Sequence, residues 1–187
     1  MGPSDAELLQ SAAAGDRDGF AAIVERHRAA VWRLARGVCP TAELAEEAMQ
    51  EAFVAAWRGA GSWSGRGSVR SWLLTLTRHA ALRHIRRRSG EPARMEPLDE
   101  LGVRAGWGRE DSPETLAARL EERAVLVRAL DRLGPLDREI LIVRELEGLD
   151  GHDTATLLGL SLPAMKSRLH RARLRLLAEL RKDRDDA

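Results

Sequence analysis

An all-α fold of two small helical domains joined by a flexible linker is what this sequence predicts, and three observations carry the prediction. Ala, Leu, Arg and Glu dominate, all good helix formers, while aromatics make up only 4% and Tyr is absent, which argues against an all-β fold. Apolar residues recur with the period of a helix on both sides of a stretch rich in Gly and Pro. The length of 187 residues is enough for two small cores, one on each side of that stretch. Hydrophobic residues at 44% and charged residues at 32% give a globular chain with a charge-rich surface, not a disordered tail.

The first domain spans residues 1–90. Ser4 with Glu7 has the spacing of a capping box and opens a short helix. Phe20, Ile23, Val24, Val31, Leu34, Ala35 and Val38 then form one apolar stripe, which Pro40 ends. Thr41 is placed to cap a third helix with Ala45, Ala48, Met49, Ala52, Phe53 and Ala56 on one face. Its other face carries Glu46, Glu47, Gln50 and Glu51, either a solvated surface or a docking surface for a basic partner. Residues 59–67 (GAGSWSGRG) form a loop holding Trp63 and Arg66. Trp63 could stack on an unpaired base or fold back on the core as a lid. Ser68 caps a helix that runs through Trp72, Leu73, Leu76, Ala80 and Ile85 into Arg86, Arg87 and Arg88.

Residues 91–112 read as a linker, because Pro92, Pro97, Gly102, Gly106 and Gly108 interrupt any helical period. The second domain spans residues 113–182, and residues 183–187 are expected to fray. Ser112, Pro113 and Glu114 look like a helix start, and Leu116, Leu120, Val127, Leu130 and Leu133 form its stripe. Gly134 and Pro135 turn the chain into a helix over residues 136–147 with Ile140, Leu141 and Val143 as core candidates. Residues 150–173 then read as a helix-turn-helix. Asp150 caps the first helix, Ala155 allows close approach, Gly159 supplies the positive φ of the turn, and Ser161 caps the second helix with Pro163 in its first turn. Leu160 and Met165 fill the space between the helices, and Lys166, Ser167, His170 and Arg171 project outward, a composition suited to the major groove.

Charge is segmented although its net value is only +1. Residues 78–88 and 162–176 are basic and hold no acid, whereas residues 89–116 are net acidic. All but two of the 30 basic residues, Lys166 and Lys182, are Arg, the better partner for phosphate and guanine. Cys39 is the only cysteine, so an internal disulfide is excluded and a reducing, cytosolic setting is expected. No apolar run is long enough to span a membrane, and the first 18 residues lack the features of a signal peptide. No HExxH, Walker loop, GxSxG or CxxC pattern occurs, and the five His are dispersed, so no enzyme activity, metal or cofactor is expected.

These segments, in this order, resemble the extracytoplasmic-function (ECF, group 4) sigma factors of bacterial RNA polymerase over nearly the whole chain. Residues 6–27 (AELLQSAAAGDRDGFAAIVERH) look like the opening helices of the family. Residues 42–57 (AELAEEAMQEAFVAAW) and 63–88 (WSGRGSVRSWLLTLTRHAALRHIRRR) are similar to its region 2. Residues 133–176 carry the pattern of its region 4. The resemblance implies a promoter-specificity subunit. Glu47, Gln50, Glu51 and Phe53 would dock on the β′ clamp helices of core polymerase, with the second domain on the β flap. Trp63, Arg66, Arg70, His79, Arg83, Arg86 and Arg87 would hold the −10 DNA, one base of it flipped. Lys166, Ser167, Arg168, His170, Arg171 and Arg173 would read the −35 duplex. The linker would thread toward the polymerase active site, and an anti-sigma factor would control the whole. The chain departs from the family at His79 and Arg83, where Asn and Asp are usual. It departs again at Gly151, His152, Asp153 and Thr154, poorer helix formers than the usual residues. A sigma mimic that only titrates an anti-sigma factor would be expected to lose its basic faces, and a stand-alone repressor would need a dimerisation or ligand domain.

Overall fold

A computed structural model describes residues 2–87 and 113–185, and its regular structure there is entirely helical. The all-α expectation therefore holds among the described residues. The expected linker at residues 91–112 lies outside them, as do Arg88 and the helix start at Ser112. The chain divides into two units, Met1–Met95 and Glu96–Ala187.

The first unit consists of α1 (Asp5–Ala13), α2 (Arg17–Val38), α3 (Ala42–Gly59), a 3-10 turn (Ala60–Ser62) and α4 (Val69–Arg87). Each start has a local cause. The Ser4 hydroxyl accepts from Glu7 N at 3.3 Å while Ser4 N donates to the Glu7 carboxylate at 2.7 Å, which completes the capping box. Asp16 accepts from the backbone of Asp18 and Gly19 and opens α2, Thr41 accepts from Leu44 N at 3.2 Å, and Ser68 accepts from Ser71 N at 3.0 Å. The helices then close over two apolar clusters. One gathers Leu8, Leu9, Ile23, Val31 and Leu73; the other gathers Trp32, Ala35, Cys39, Leu44, Ala45, Ala48, Ala80 and Ala81. Burying each aliphatic side chain of this size contributes about 1.5–3 kcal/mol.

Ile23, Val31, Leu34 and Ala35 of the predicted α2 stripe are buried, while Phe20, Val24 and Val38 lie at its margin. Phe20 meets Trp57 edge to face, with ring centroids 5.2 Å apart. The stripe is wider than the apolar pattern indicated, because His27 and Arg36 are buried as well. His27 Nε2 lies 2.7 Å from Asp5 Oδ2, and Arg26 donates to Asp5 at 3.0 Å and to the Pro3 carbonyl at 2.8 Å, so one carboxylate ties α1 to α2. Partial burial pushes the Asp5 pKa up, but the bonds and charges of Arg26 and His27 outweigh it and hold the carboxyl below its ordinary 3.8.

The second unit consists of α5 (Pro113–Asp131), α6 (Pro135–Leu141), a π-helical turn (Ile142–Leu146), α7 (Gly151–Leu158) and α8 (Leu162–Asp185). The single helix expected over residues 136–147 thus widens into a π turn after Leu141. Ile140, Leu141, Ile142 and Val143 are all buried, and four successive residues cover nearly every side of a helix, so this segment is surrounded by its neighbours. Arg138 is buried too. Its guanidinium donates to the carbonyls of Leu130 at 3.0 Å, Asp131 at 2.8 Å and Leu133 at 3.2 Å, which satisfies the open end of α5.

The helix-turn-helix forms with the predicted caps. Asp150 accepts from Asp153 N at 2.8 Å, Ser161 accepts from Ala164 N at 3.3 Å, and Gly159 ends α7 at φ +67°. The poor helix formers that open α7 have packing roles. A Cβ on Gly151 would stand 3.3 Å from both Leu162 Cδ1 and Met165 Cε, and Thr154 is buried with its hydroxyl donating to the Asp150 carbonyl at 2.6 Å. Residues 183–185 belong to α8, and Asp183 accepts from Arg132 at 2.5 Å; residues 186 and 187 of the tail expected to fray lie outside the described residues. No described helix is long and apolar enough to cross a membrane.

Two substitutions probe this framework. Gly159→Ala places a side chain in the left-handed region and should lower stability by about 1–2 kcal/mol in urea unfolding. Because Asp5 titrates lower in the folded state than unfolded, its contribution is present above pH 3.8 and is lost as pH falls through the folded value. Solvent screens this pair, so Asp5→Asn should cost less than about 1 kcal/mol at neutral pH. That difference from the wild type should vanish in melts taken well below pH 3.8.

Candidate nucleic-acid interface

The first unit brings its two expected surfaces side by side. Ala45, Ala48, Ala52 and Ala56 are fully buried on α3, and α3 packs along α4 on this small-residue face. Beside that face, helical spacing puts Glu47, Gln50, Glu51 and Val54 in one arc, with Glu47 and Glu51 on the flank toward α4. Glu47 and Gln50 are exposed, and Val54 is 47% exposed. Phe53 departs from the expected surface and packs against the core, because its position lies about a third of a turn away from that arc. Val54, which the sequence does not single out, joins the exposed arc at three and four residues from Glu51 and Gln50.

The acids of α3 meet the bases of α4. His84 Nδ1 lies 3.2 Å from Glu47 Oε2, and His84 Nε2 lies 2.8 Å from Glu51 Oε2. Arg83 pairs with the other oxygen of Glu51. Arg83, assigned to DNA by resemblance, thus touches Glu51, assigned by the same resemblance to polymerase docking. His79, Arg83, Arg86 and Arg87 are all exposed and follow one another at helical spacing along α4, with no acid among them.

Trp63 lies in the loop before α4 and is partly buried. Its ring packs against the core formed by Leu8, Leu73 and their neighbours, as a lid would. Arg66 is exposed at the loop tip between Gly65 and Gly67, whose φ values of +73° and +71° set the sharp turns on either side of it. Arg70, in the first turn of α4, is partly buried.

In the second unit, α8 has three zones. Met165, Leu169 and Ala172 are buried and form the inner stripe. Lys166, Ser167, His170 and Arg171 are exposed on the opposite side, as their spacing requires. Leu174 and Leu177 continue this outer face at 54% and 51% exposure, so its character changes from polar to apolar along the helix. The edges are ion-paired. Arg168 donates to Asp137 at 3.1 Å and Arg175 pairs with the second oxygen of the same carboxylate, while Arg173 donates to Glu145 at 2.6 Å on the other edge. Among the described residues, Arg168 and Arg173 are ion-paired, unlike the exposed Lys166, Ser167, His170 and Arg171.

Among the described residues no cluster of His, Cys, Asp and Glu could hold a metal ion. Burial pushes the Cys39 thiol up to about 12, with Arg36 opposing and Glu47 adding to the shift, so Cys39 is a core residue without nucleophilic character at neutral pH.

Comparison with known proteins agrees with this division. The family model Sigma-70 region 2 matches residues 23–91, and Sigma-70, region 4 matches residues 123–176. The ECF RNA polymerase sigma factor SigM of Mycobacterium tuberculosis is 36% identical over 173 residues, covering 92% of this chain and 83% of the relative. The RNA polymerase sigma factor CnrH of Cupriavidus metallidurans is 32% identical, covering 98% of each chain. The structure of CnrH in complex with the cytosolic domain of CnrY superposes with a TM-score of 0.67 at 26% identity, covering 97% of this chain and 99% of that one. The sigma factor RpoE in complex with the anti-sigma factor NepR, from Bartonella quintana, shares the fold at a TM-score of 0.63 and 22% identity, covering 87% and 96%.

The α3–α4 ion pairs are open to a double-mutant cycle. Glu51→Gln and Arg83→Gln, alone and together, should give a coupling energy below about 1 kcal/mol that shrinks with added salt, since the pair is largely solvated. A coupling of zero at low salt would place Arg83 outside the pair.

Proposed function

The chain belongs to the extracytoplasmic-function RNA polymerase sigma factors of the sigma-70 family, and from that membership we propose that it binds core RNA polymerase and directs it to promoters by recognising −35 and −10 elements and melting the −10 DNA. The observation that carries this reading is the outer face of α8. Lys166, Ser167, His170 and Arg171 stand free of the core on the N-terminal half of the second helix of a helix-turn-helix, where side chains meet base edges in the major groove. Arg168 and Arg173 flank this face in ion pairs with Asp137 and Glu145.

The first unit docks on the β′ clamp helices through Glu47, Gln50 and Glu51, with Phe53 supporting that surface from beneath and Val54 adding an apolar contact. Leu136, Leu146, Leu174 and Leu177 are the exposed apolar side chains open to the β flap. Along α4, His79, Arg83, Arg86 and Arg87 track the −10 strand, with Arg66 and Arg70 at the loop and Trp63 as its floor. Holding one base out of the stack costs a few kcal/mol, which binding to the unstacked strand must offset. The work is binding; the polymerase supplies the chemistry. An anti-sigma factor restrains the protein, the class of partner that RpoE has in its solved complex. Its place of action is the cytoplasm, where polymerase and promoters meet.

The test is run-off transcription with purified core polymerase on a pooled library of genomic promoters. Protein-dependent transcripts sharing spaced −35 and −10 elements are expected; failure to bind core polymerase would sink the reading. Lys166→Ala and Arg171→Ala should each weaken −35 binding by about 1–3 kcal/mol where the side chain reads a base edge. Arg86→Ala should instead weaken binding evenly across sequences and lower the salt slope by about 0.9.

A further inference from the structure

We infer that Asp137 is a specificity-determining residue for DNA recognition: it holds Arg168 and Arg175 on one edge of α8 and so withholds two cations from the phosphate backbone. This rests on the reading of α8 as the −35 helix. Asp137 lies in the first turn of α6 and its side chain is only 5% exposed. Its two oxygens serve different arginines, Oδ1 taking Arg168 at 3.1 Å and Oδ2 taking Arg175. The two arginines are seven residues apart, two turns of one helix, and therefore lie on the same edge. A carboxylate fixed in α6 and bound at two levels of α8 steadies the rotation that the buried stripe of Met165, Leu169 and Ala172 favours, with Lys166, Ser167, His170 and Arg171 outward.

The second consequence is electrostatic. Arg175 is 61% exposed and Arg168 31% exposed, so both could swing to phosphate if the buried carboxylate did not engage them. Each phosphate contact adds affinity to every duplex alike, whereas base contacts add it to one sequence. An arginine kept on Asp137 raises no sequence-independent affinity, and the ratio of specific to non-specific binding is larger for it. Asp137 touches no base and acts through the two arginines, as a positioning residue.

The test uses the full chain and two duplexes, one carrying the −35 element recovered by run-off transcription and one with that element scrambled. Binding is measured by fluorescence anisotropy across a salt series. Asp137→Asn should bind the scrambled duplex several-fold more tightly at low salt, with a slope of log K against log salt steeper by about 1–2. Its preference for the −35 duplex should fall by a similar factor. Arg175→Gln alone should leave the slope unchanged, and in the Asp137→Asn background it should remove about half of the steepening. An unchanged slope in folded Asp137→Asn, or a shallower slope in Arg175→Gln alone, overturns the inference; the second arm decides the matter even if Asp137→Asn does not fold. A wild-type protein that binds both duplexes alike overturns the −35 reading itself, and with it the inference.

Discussion

The close packing of α3 on α4 is the constraint on which the first unit depends. Ala45, Ala48, Ala52 and Ala56 leave no bulk between the two helices, and the interaxial distance of a helix pair is set by the side chains at its contact. At that separation the acids on the flank of α3 and the bases at the end of α4 come within ion-pair distance, and His84 sits against both Glu47 and Glu51. Larger residues on the alanine face would separate these charges and force both helices to repack. The same contact fixes how the acids of α3 and the exposed arginines of α4 are spaced, so two charged surfaces share one mechanical support.

The second unit solves a related problem with buried polar groups. Its central helices α6 and α7 are short and the segment between them is surrounded, so helix ends fall inside the core. Arg138 fills one such end by donating to three carbonyls at the C-terminal end of α5 and the turn that follows. Asp137, next to it in sequence, serves the opposite side of α6 and engages α8. Adjacent residues of opposite charge thus tie the short α6 to both of its long neighbours. The apolar stripe of α8 supplies the attraction, and these polar ties select one arrangement among those the stripe would allow.

Ion pairing also divides the arginines into two populations. Arg83, Arg168, Arg173 and Arg175 have carboxylate partners within the protein, whereas the outer face of α8 presents its bases to solvent. A chain with 30 basic residues and a net charge of only +1 can therefore display a few directed cations rather than a uniform positive surface. Directed cations favour discrimination between sequences, and a uniform surface favours indiscriminate affinity.

The sequence by itself determined the helical class, the caps at Ser4, Thr41, Ser68, Asp150 and Ser161, the turn at Gly159, and the outward face of α8. All of these follow from interactions within about four residues, where spacing fixes geometry. Tertiary structure alone decided which charged residues are spent inside the protein. Arg83 and Glu51 are 32 residues apart, and Arg175 and Asp137 are 38 apart. It also decided that Phe53 turns to the core while Val54 faces outward, that Trp63 packs back from its loop onto the core, and that residues 142–146 widen into a π turn. Local patterns leave these choices open, because they depend on which side chains arrive from distant parts of the chain.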